Sequence, residues 1–552
     1  MLIKGSHAAS YHTTTGSTEK LRRDLHTSSD KKSSTISTQY GTVIASAAAS
    51  TPASSSSATI PTSAPLSETA ATSPSLVATS GAMPSRKPPL SLLPLSTILR
   101  TLLSTTVSSS PLLLPPSLKI MSVMAHTDTA VLNPDRNPLL RQFLKKTFYA
   151  QFCAGEDAAE VRRTVRGLKQ LGFSGVMTGY AREVVLTEAQ QRSLGGATSA
   201  DLFEGAEAER CIREEVDPWK EGNLETLRMA QPGQDFVSVK FTGAGRQALW
   251  ALKNRQPPSP HLAAAIDEIC ALARAKDVPL LIDAEQTAVQ NGIDDWTMRY
   301  QRRYNTTPGH ALIYNTYQAY LKSAPATLAR HLDEAVTEGF TLGVKLVRGA
   351  YLGSDPRHII HDTKAETDAA YDGIAASLIT RRWGPVLRPQ PQPQSQTQKP
   401  GGKKSDMPDF PHVSVVLGSH NLESVRKARA LRAGGDAAPG TELAIGQLMG
   451  MADDVSCDLL ASNRAIMERM RERARERQIE CPNEKLRHQQ QTEEAVTKAY
   501  KYIVWGSTKE CMAYLLRRAH ENKDAVSRTV AARNAMWQEL IRRMKAYFSA
   551  SV

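Results

Sequence analysis

The sequence has no cysteines at the C-x-x-C spacing and no uncharged apolar run long enough to cross a bilayer. Its six cysteines are scattered through 552 residues, which suits a reducing compartment and signals neither a zinc site nor a redox pair. The most apolar stretch, from Pro88 to Ile120, is interrupted by Arg100 and by several prolines. We therefore expect no transmembrane helix and no metal site.

The formal net charge of +13 does not come with a nucleic-acid recognition motif, so no nucleic-acid partner is expected. Basic residues without acidic ones concentrate in parts of the N-terminal region instead. The segment 83–125 contains no Asp or Glu but carries Arg86, Lys87, Arg100 and Lys119 among leucines and serines. This composition is typical of a mitochondrial transit peptide, although a generic disordered tail is the alternative.

Two regions are too rich in small and polar residues to predict a packed core. Residues 1–125 are rich in Ser, Thr, Ala and Pro, and we expect a disordered extension that contains the transit peptide. Residues 126–552 then form the catalytic domain. Within it, the Pro/Gln/Gly/Lys-rich stretch 385–410 is expected to be a flexible insert.

Short apolar runs alternate with helix-like segments through the catalytic domain. Eight runs are predicted as strands, at 174–181, 236–242, 279–285, 310–316, 341–348, 413–419, 443–448 and 502–505. Alternating strands and helices favour parallel βαβ units, and eight such units predict an α/β fold of the (β/α)8 TIM-barrel type. An open doubly wound sheet is the alternative, but no G-x-G-x-x-G follows the first strand.

Polar residues gather at the predicted carboxyl ends of six strands, where barrels place their chemistry. They include Lys240, Asp283, Glu285, Asn315, Gln318, Lys345, Arg348, Ser419, His420, Asn421 and Tyr502. A single polar residue in such a place is usually structural. Groups from six strands that converge on one rim predict a site.

The last barrel helix carries Tyr514, Arg517, Arg518 and Glu521 at i, i+3, i+4 and i+7, so they share one face. One interpretation is a solvent-exposed face with an Arg517–Glu521 pair. The other is a guanidinium fork for a substrate carboxylate.

These same segments resemble the proline dehydrogenase family, particularly its monofunctional mitochondrial enzymes. The matching motifs are DAEQT at 283–287, YNTYQAYLK at 314–322, GVKLVRGAYL at 343–352, GSHN at 418–421, QLMGMADDVS at 447–456 and YLLRRAHEN at 514–522. The resemblance covers about 130–547. It implies a distorted barrel that binds FAD, oxidises L-proline to Δ1-pyrroline-5-carboxylate by hydride transfer to flavin N5, and passes electrons to a membrane quinone. It also implies the matrix side of the inner mitochondrial membrane, with peripheral membrane contact.

The resemblance implies three groups of site residues. Catalytic positions are Asp283 and Lys345. Substrate-binding positions are Lys240, Tyr351, Leu448, Tyr502, Tyr514, Arg517 and Arg518, with the two arginines as carboxylate clamp. Cofactor-binding positions are Ala284, Gln318, Lys345, Arg348, Gly349, Ala350, Ser419, His420, Asn421 and Glu521.

Two positions depart from the family pattern, and three alternatives remain. Position 345 is Lys where many bacterial members have Arg, and Val504-Trp505 replaces the more usual Pro-Tyr. The first alternative is a hydroxyproline-specific enzyme, although Tyr502 is bulky where that relative has a small polar residue. The second is a barrel that has lost its cofactor. The third is the bifunctional bacterial arrangement with an aldehyde dehydrogenase domain, for which the chain has no room.

Overall fold

Short β-branched and aliphatic segments form nine parallel strands in the computed structural model, which describes residues 88–127, 129–182, 202–390, 408–476, 496–524 and 526–549. The side chains of residues 125, 126 and 521–528 lie outside this description. The strands are β1 Cys153–Gly155, β2 Gly175–Tyr180, β3 Phe236–Val239, β4 Leu280–Ile282, β5 Ile313–Gln318, β6 Leu342–Val347, β7 Val413–Gly418, β8 Glu442–Leu448 and β9 Lys498–Trp505.

The strands β2 to β9 close into a barrel. Each strand from β2 to β8 pairs with the next, and β9 lies between β8 and β2, with every pairing parallel. The short β1 pairs with β9 outside this ring. The prediction of a (β/α)8 barrel is confirmed, and all eight predicted strands are present. Two details were not predicted: β1 itself, and the start of β9 at Lys498.

Sixteen helices are described, and most connect consecutive strands. They are α1 Leu95–Ser109, α2 Leu114–His126, α3 Pro138–Leu144, α4 Ala150–Phe152, α5 Ala158–Leu171, α6 Gly205–Cys211, α7 Asp217–Met229, α8 Arg246–Lys253, α9 Pro260–Lys276, α10 Thr287–Tyr304, α11 Ala324–Glu338, α12 Lys364–Thr380, α13 Leu422–Ala433, α14 Asp453–Glu476, α15 Thr508–Asp524 and α16 Val526–Ser549. None of the described helices has the length and apolar character that crossing a bilayer requires.

Aromatic side chains fill the interior of the barrel below its mouth. Phe236 on β3 packs edge to face against Tyr314 on β5 and Tyr500 on β9, with ring centroids 5.8 Å and 5.1 Å apart. These strands are not neighbours, so the contacts cross the inside of the barrel. The packed layer leaves the carboxyl ends of the strands as the place for a site.

The structure differs from the expected N-terminal extension in residues 88–126, which form the helices α1 and α2. Ile98 of α1 is fully buried and packs with Cys457 and Met536. Hydroxyl-rich sequence is compatible with this helix because its side chains bond their own backbone, as Thr105 Oγ1 does to the carbonyl of Thr101 at 2.6 Å. Residues 1–87, with the rest of the predicted transit peptide, lie outside the described residues, as do 391–407 of the predicted insert.

Candidate active site

Asp283, directly after β4, sits at the centre of a buried charged cluster at the barrel mouth. Its Oδ1 accepts hydrogen bonds from Lys345 Nζ at 2.5 Å and from Ser238 Oγ at 2.6 Å. Its Oδ2 lies 3.1 Å from Lys240 Nζ and accepts a hydrogen bond from Tyr502 Oη at 2.7 Å. One carboxylate therefore binds four side chains: Ser238 from β3, Lys240 directly after β3, Lys345 from β6 and Tyr502 from β9.

The charges of this cluster fix the ionisation of its members. Burial alone would raise the pKa of Asp283, but the ammonium groups of Lys345 and Lys240 outweigh it and hold that pKa well below its usual range. Burial and the Asp283 carboxylate raise the pKa of Tyr502 to about 12. At neutral pH the carboxylate is ionised and the phenol is protonated. Asp283 is thus a fixed counter-ion and a poor general base.

Tyr502 reaches the cluster because Gly179, on the neighbouring strand β2, has no side chain in the path of its hydroxyl group. In the sheet register Tyr502 lies between Met177 of β2 and Leu448 of β8. A Cβ at Gly179 would lie 2.9 Å from the Tyr502 hydroxyl oxygen and 3.6 Å from Cβ of Ser238. Sequence reasoning missed both Gly179 and Ser238. Their only signal was their place near the ends of predicted strands.

The predicted arginine face of α15 forms a second group. Arg517 Nη1 donates to the Tyr351 hydroxyl at 2.8 Å and its guanidinium lies 5.3 Å from the centroid of that ring. The Arg518 guanidinium lies 5.0 Å from the Tyr514 ring centroid, and both side chains are buried. The side chain of Glu521, predicted to fix this face, lies outside the described residues. Arg518 is buried and Arg517 is half-buried, so this face is not a fully solvent-exposed one.

Leu448 joins the two groups and is held from both sides. It packs in the same apolar cluster as Tyr502 and Tyr514. Its N–H donates to His420 Nε2 at 3.1 Å, so this ring nitrogen is the acceptor. Its carbonyl accepts from Lys501 Nζ at 3.4 Å, and the same ammonium forms a buried ion pair with Asp453 at 2.8 Å. Lys501 and Asp453 were not predicted as site residues, although a lysine inside an apolar strand was a visible signal.

The side chain of Gln318, at the end of β5, bonds the backbone of the loop after β6 and of the segment after β4. Gln318 Nε2 donates to the carbonyl of Glu285 at 3.2 Å, and Gln318 Oε1 accepts from the N–H of Ala350 at 3.1 Å. A Cβ at Gly349, where φ is +154°, would lie 2.4 Å from the ring of Tyr320. Only glycine allows this close approach. The amide of Gln318 therefore organises the loop, whatever else it contacts.

Arg348, Ser419 and Asn421 lie on the neighbouring part of the rim. The Arg348 guanidinium pairs with Asp368, donates to Ser424 Oγ at 3.3 Å and lies over the Tyr371 ring at 5.4 Å. Ser419 Oγ accepts from the Asn421 N–H at 3.1 Å.

Asn421 is the N-cap of α13, because its Oδ1 accepts from the backbone N–H groups of Glu423 and Ser424. Ala284 is half-buried between Asp283 and Glu285, and its methyl side chain carries no polar group. The predicted cofactor positions thus lie at adjoining strand ends, and several of them also hold the rim together.

Taken together, the mouth offers positive charge and rigid aromatic walls. Among the side chains that the structure describes there, Lys240, Lys345, Arg348, Arg517 and Arg518 are cationic, and Asp283, Glu285 and Asp368 carry carboxylates. Such a site suits anionic groups on a substrate and a cofactor.

Comparison with known proteins gives a consistent result. The family model described as Proline dehydrogenase matches residues 161–531. A probable mitochondrial proline dehydrogenase of Schizosaccharomyces pombe is 30% identical over 440 residues, which cover 74% of this chain and 81% of the relative. A hydroxyproline dehydrogenase of Bos taurus is 27% identical over 436 residues, covering 73% and 82%.

Among solved structures, proline utilization A of Bdellovibrio bacteriovorus superposes with a TM-score of 0.49 at 15% identity. The match covers 77% of this chain and 38% of that one, so the chain spans well under half the length of that protein.

Proposed function

The chain belongs to the proline dehydrogenase family and is an oxidoreductase of that family, and on this premise we propose that it oxidises L-proline to Δ1-pyrroline-5-carboxylate with FAD as its cofactor. The observation that carries the proposal is the mouth itself. A carboxylate held between two buried ammonium groups lies beside a helix face that carries the buried Arg518 and the half-buried Arg517.

The donor set at the rim fits a flavin dinucleotide. Ammonium, guanidinium, amide and imidazole groups from adjoining strand ends suit phosphate oxygens and the polar edge of a flavin. The residues that would hold FAD are Ala284, Gln318, Lys345, Arg348, Gly349, Ala350, Ser419, His420, Asn421 and Glu521. Bound FAD would supply the acceptor for a hydride at N5.

Proline brings a carboxylate and a ring to this site. Arg517 and Arg518 would bind the carboxylate; the ring of Tyr351 beside Arg517 and the ring of Tyr514 beside Arg518 support this role. Tyr351, Leu448, Tyr502 and Tyr514 form the walls around the ring. Lys240 lies 3.0 Å from the Tyr502 hydroxyl and belongs to the cationic side of the pocket.

The proton on the substrate nitrogen must leave before an imine can form. Nearby positive charge lowers the pKa of an ammonium group, so the cationic mouth favours the neutral amine. Lys240 and Lys345 supply that charge, and Asp283 keeps both in place. Asp283 acts here through the two lysines.

A second candidate substrate is 4-hydroxyproline, because one relative is named for it. Tyr502 argues against it. Its ring is buried beside Gly179, and its hydroxyl already bonds Asp283 and Lys240. We expect a side chain of this bulk to crowd a 4-hydroxyl group, so proline is the proposed substrate.

The electron acceptor is proposed to be a quinone in the inner mitochondrial membrane, with the enzyme on the matrix side. A relative named as mitochondrial and the acid-poor N-terminal composition support the location.

The full-length purified protein tests the proposal. It should be yellow, with flavin absorbance bleached by L-proline under anaerobic conditions, and it should reduce a soluble dye acceptor faster with proline than with 4-hydroxyproline. Protein that stays colourless after FAD is added, and that reduces no dye with either amino acid, would contradict it.

A further inference from the structure

Helix α1 exposes its large apolar residues and buries its small polar ones. Leu95, Leu99 and Leu103 recur every fourth residue along one side and are exposed, Leu103 by 55%. The buried positions besides Ile98 are all hydroxyl side chains, Thr101, Ser104, Thr105 and Ser108. A helix in contact with water normally shows the reverse arrangement.

Helix α16 carries a second exposed apolar stripe. Trp537, Ile541, Met544 and Phe548 follow at spacings of four, three and four residues, which places them on one side of the helix. All four are exposed, Trp537 by 55% and Phe548 by 64%. The opposite side of α16 is buried through Met536, which packs with Ile98.

The two helices lie side by side and antiparallel. Arg543, near the end of α16, donates to the carbonyl of Leu93 just before α1 at 2.8 Å. Arg533, nearer the start of α16, donates to Ser109 Oγ at the end of α1 at 2.9 Å. Their buried sides meet at a small cavity that residues 450–454 also line.

The exposed stripes of both helices therefore face away from this cavity. We name Leu95, Leu99, Leu103, Trp537, Ile541, Met544 and Phe548 the apolar surface.

The charge around the apolar surface is positive. Residues 88–127 contain no Asp or Glu, and α16 contains one acidic residue, Glu539. Glu539 is buried and paired with Arg542 and Arg543, both at 2.7 Å. Lys545 is exposed beside the stripe. A surface that combines aromatic and aliphatic side chains with positive charge matches the interface of a bilayer that contains anionic lipids.

We propose that the apolar surface is a membrane-docking face that inserts into the interface of an anionic bilayer. The inference deepens the proposed use of a membrane quinone and rests on that function for its purpose. Exposing two rows of leucine and aromatic side chains to water is unfavourable, whereas acyl chains would cover these side chains. The basic residues would contact lipid phosphates at the same time.

Helix α2, which follows α1, packs against α15, the helix that carries the arginine face. Met121 and Met124 of α2 pack with Met512 and Leu515 of α15. Since α2 directly follows α1 in the chain, docking would place a bilayer close to the helix that carries Arg517.

Vesicle sedimentation of the full-length protein tests the docking face. Vesicles of phosphatidylcholine with phosphatidylglycerol should bring down more protein than vesicles of phosphatidylcholine alone. The triple variant Leu99→Ser, Trp537→Ser, Ile541→Ser should bind the anionic vesicles at least about tenfold more weakly. Val336→Ser on α11, which also alters an exposed apolar residue (41% exposed), is the matched control and should bind as the natural sequence does.

Charge and fluorescence give independent measurements. Lys545→Glu should weaken binding to anionic vesicles about fivefold or more, while the control Arg213→Glu, also exposed, should not. Anionic vesicles should shift tryptophan emission to shorter wavelength. The conservative Trp537→Phe should keep binding but lose most of that shift.

Each outcome decides the proposal. Equal vesicle binding by the triple variant and the control would overturn it, and so would a triple variant that changes from dimer to monomer without losing vesicle binding, because a second copy would then be the occupant. Proline-dependent dye reduction separates the two proposals. A triple variant that reduces dye normally but no longer binds vesicles supports the docking face, whereas vesicle binding by a protein without dehydrogenase activity would overturn the proposed function alone.

Discussion

Two buried carboxylates, Asp283 at the barrel mouth and Asp294 on α10, respond to burial in opposite ways. Asp283 has ammonium groups as partners, and its pKa lies well below the usual range. Asp294 accepts hydrogen bonds from Asn315 Nδ2 and Gln290 Nε2, both at 2.9 Å, and burial raises its pKa to about 6. Uncharged amide donors do not offset the loss of water around the charge, whereas two cations do.

The difference separates a buried carboxylate with cationic partners from one whose partners are neutral amides. At the mouth, an ionised carboxylate fixes two lysines that a substrate would meet. In α10, the carboxyl bonds Gln290 of its own helix and Asn315 of β5, and its charge is destabilised by burial. Four substitutions test this difference.

Asp283→Asn should have the largest effect. It removes the negative charge between Lys240 and Lys345 and leaves two buried ammonium groups without a counter-ion. The loss of a buried partner costs about 3–5 kcal/mol of unfolding free energy. We expect kcat/KM for proline to fall by about 100-fold or more. Urea unfolding and steady-state kinetics measure both, with Asp294→Asn as control. Normal kinetics in Asp283→Asn would mean that the lysines need no counter-ion.

Arg518→Met extends the comparison to a cation whose proposed partner is the substrate. The change keeps apolar volume but removes a charge-assisted contact to the carboxylate, worth about 1.5–3 kcal/mol. We expect kcat/KM for proline to fall about tenfold to 100-fold while FAD stays bound. A carboxylate inhibitor should bind more weakly and a neutral ring analogue should not. Release of FAD with unchanged inhibitor affinity would make this face a cofactor site.

Tyr502→Ser tests the bulk of the side chain that borders the Asp283 cluster. A smaller side chain makes room for a 4-hydroxyl group, so the preference for proline over 4-hydroxyproline in kcat/KM should narrow about tenfold. Tyr502→Phe removes only the hydroxyl and should leave the preference nearly unchanged. If Ser and Phe give the same ratio, position 502 does not border the substrate ring.

Asp294→Asn should have the smallest effect, and its sign should be opposite to that of Asp283→Asn. The folded pKa of about 6 lies above the ordinary value of 3.8, so ionisation favours unfolding. That destabilisation is fully present above about pH 6 and disappears as pH falls toward 3.8. The gain from removing it is at most about 3 kcal/mol. The Tm difference between Asp294→Asn and the natural sequence should be more positive at pH 7.5 than at pH 5, and a constant difference would contradict the raised pKa.

Much of the barrel could be predicted because most of its strands are largely apolar and are buried along most of their length. The exceptions have local causes. β1 spans Cys153–Gly155 and lacks the aliphatic run that marks the equally short β4. β9 begins with Lys498 and contains Lys501, whose ammonium group is paired with Asp453 from another element. Helix α1 was not predicted because several of its leucines face outward while its buried side is mostly polar.

Site residues with charged groups could be predicted from the motifs, but their arrangement could not. That Ser238, Lys240, Lys345 and Tyr502 all meet Asp283 depends on barrel closure, which brings β9 beside β2. Gly179 is needed only because of that meeting. Such requirements are set by pairs of residues far apart in the chain, and no local pattern carries them.

The place of β9 in the barrel has a consequence for how the chain folds. β9 pairs on one side with β2, which comes early in the domain, and on the other with β8. A chain that emerges amino end first, from a ribosome or a translocation pore, keeps both neighbouring edges open until Lys498–Trp505 arrives. Those edges are apolar and available to other chains in the meantime. Chaperone protection should therefore matter most in that interval, and the Asp283 cluster cannot assemble before it ends.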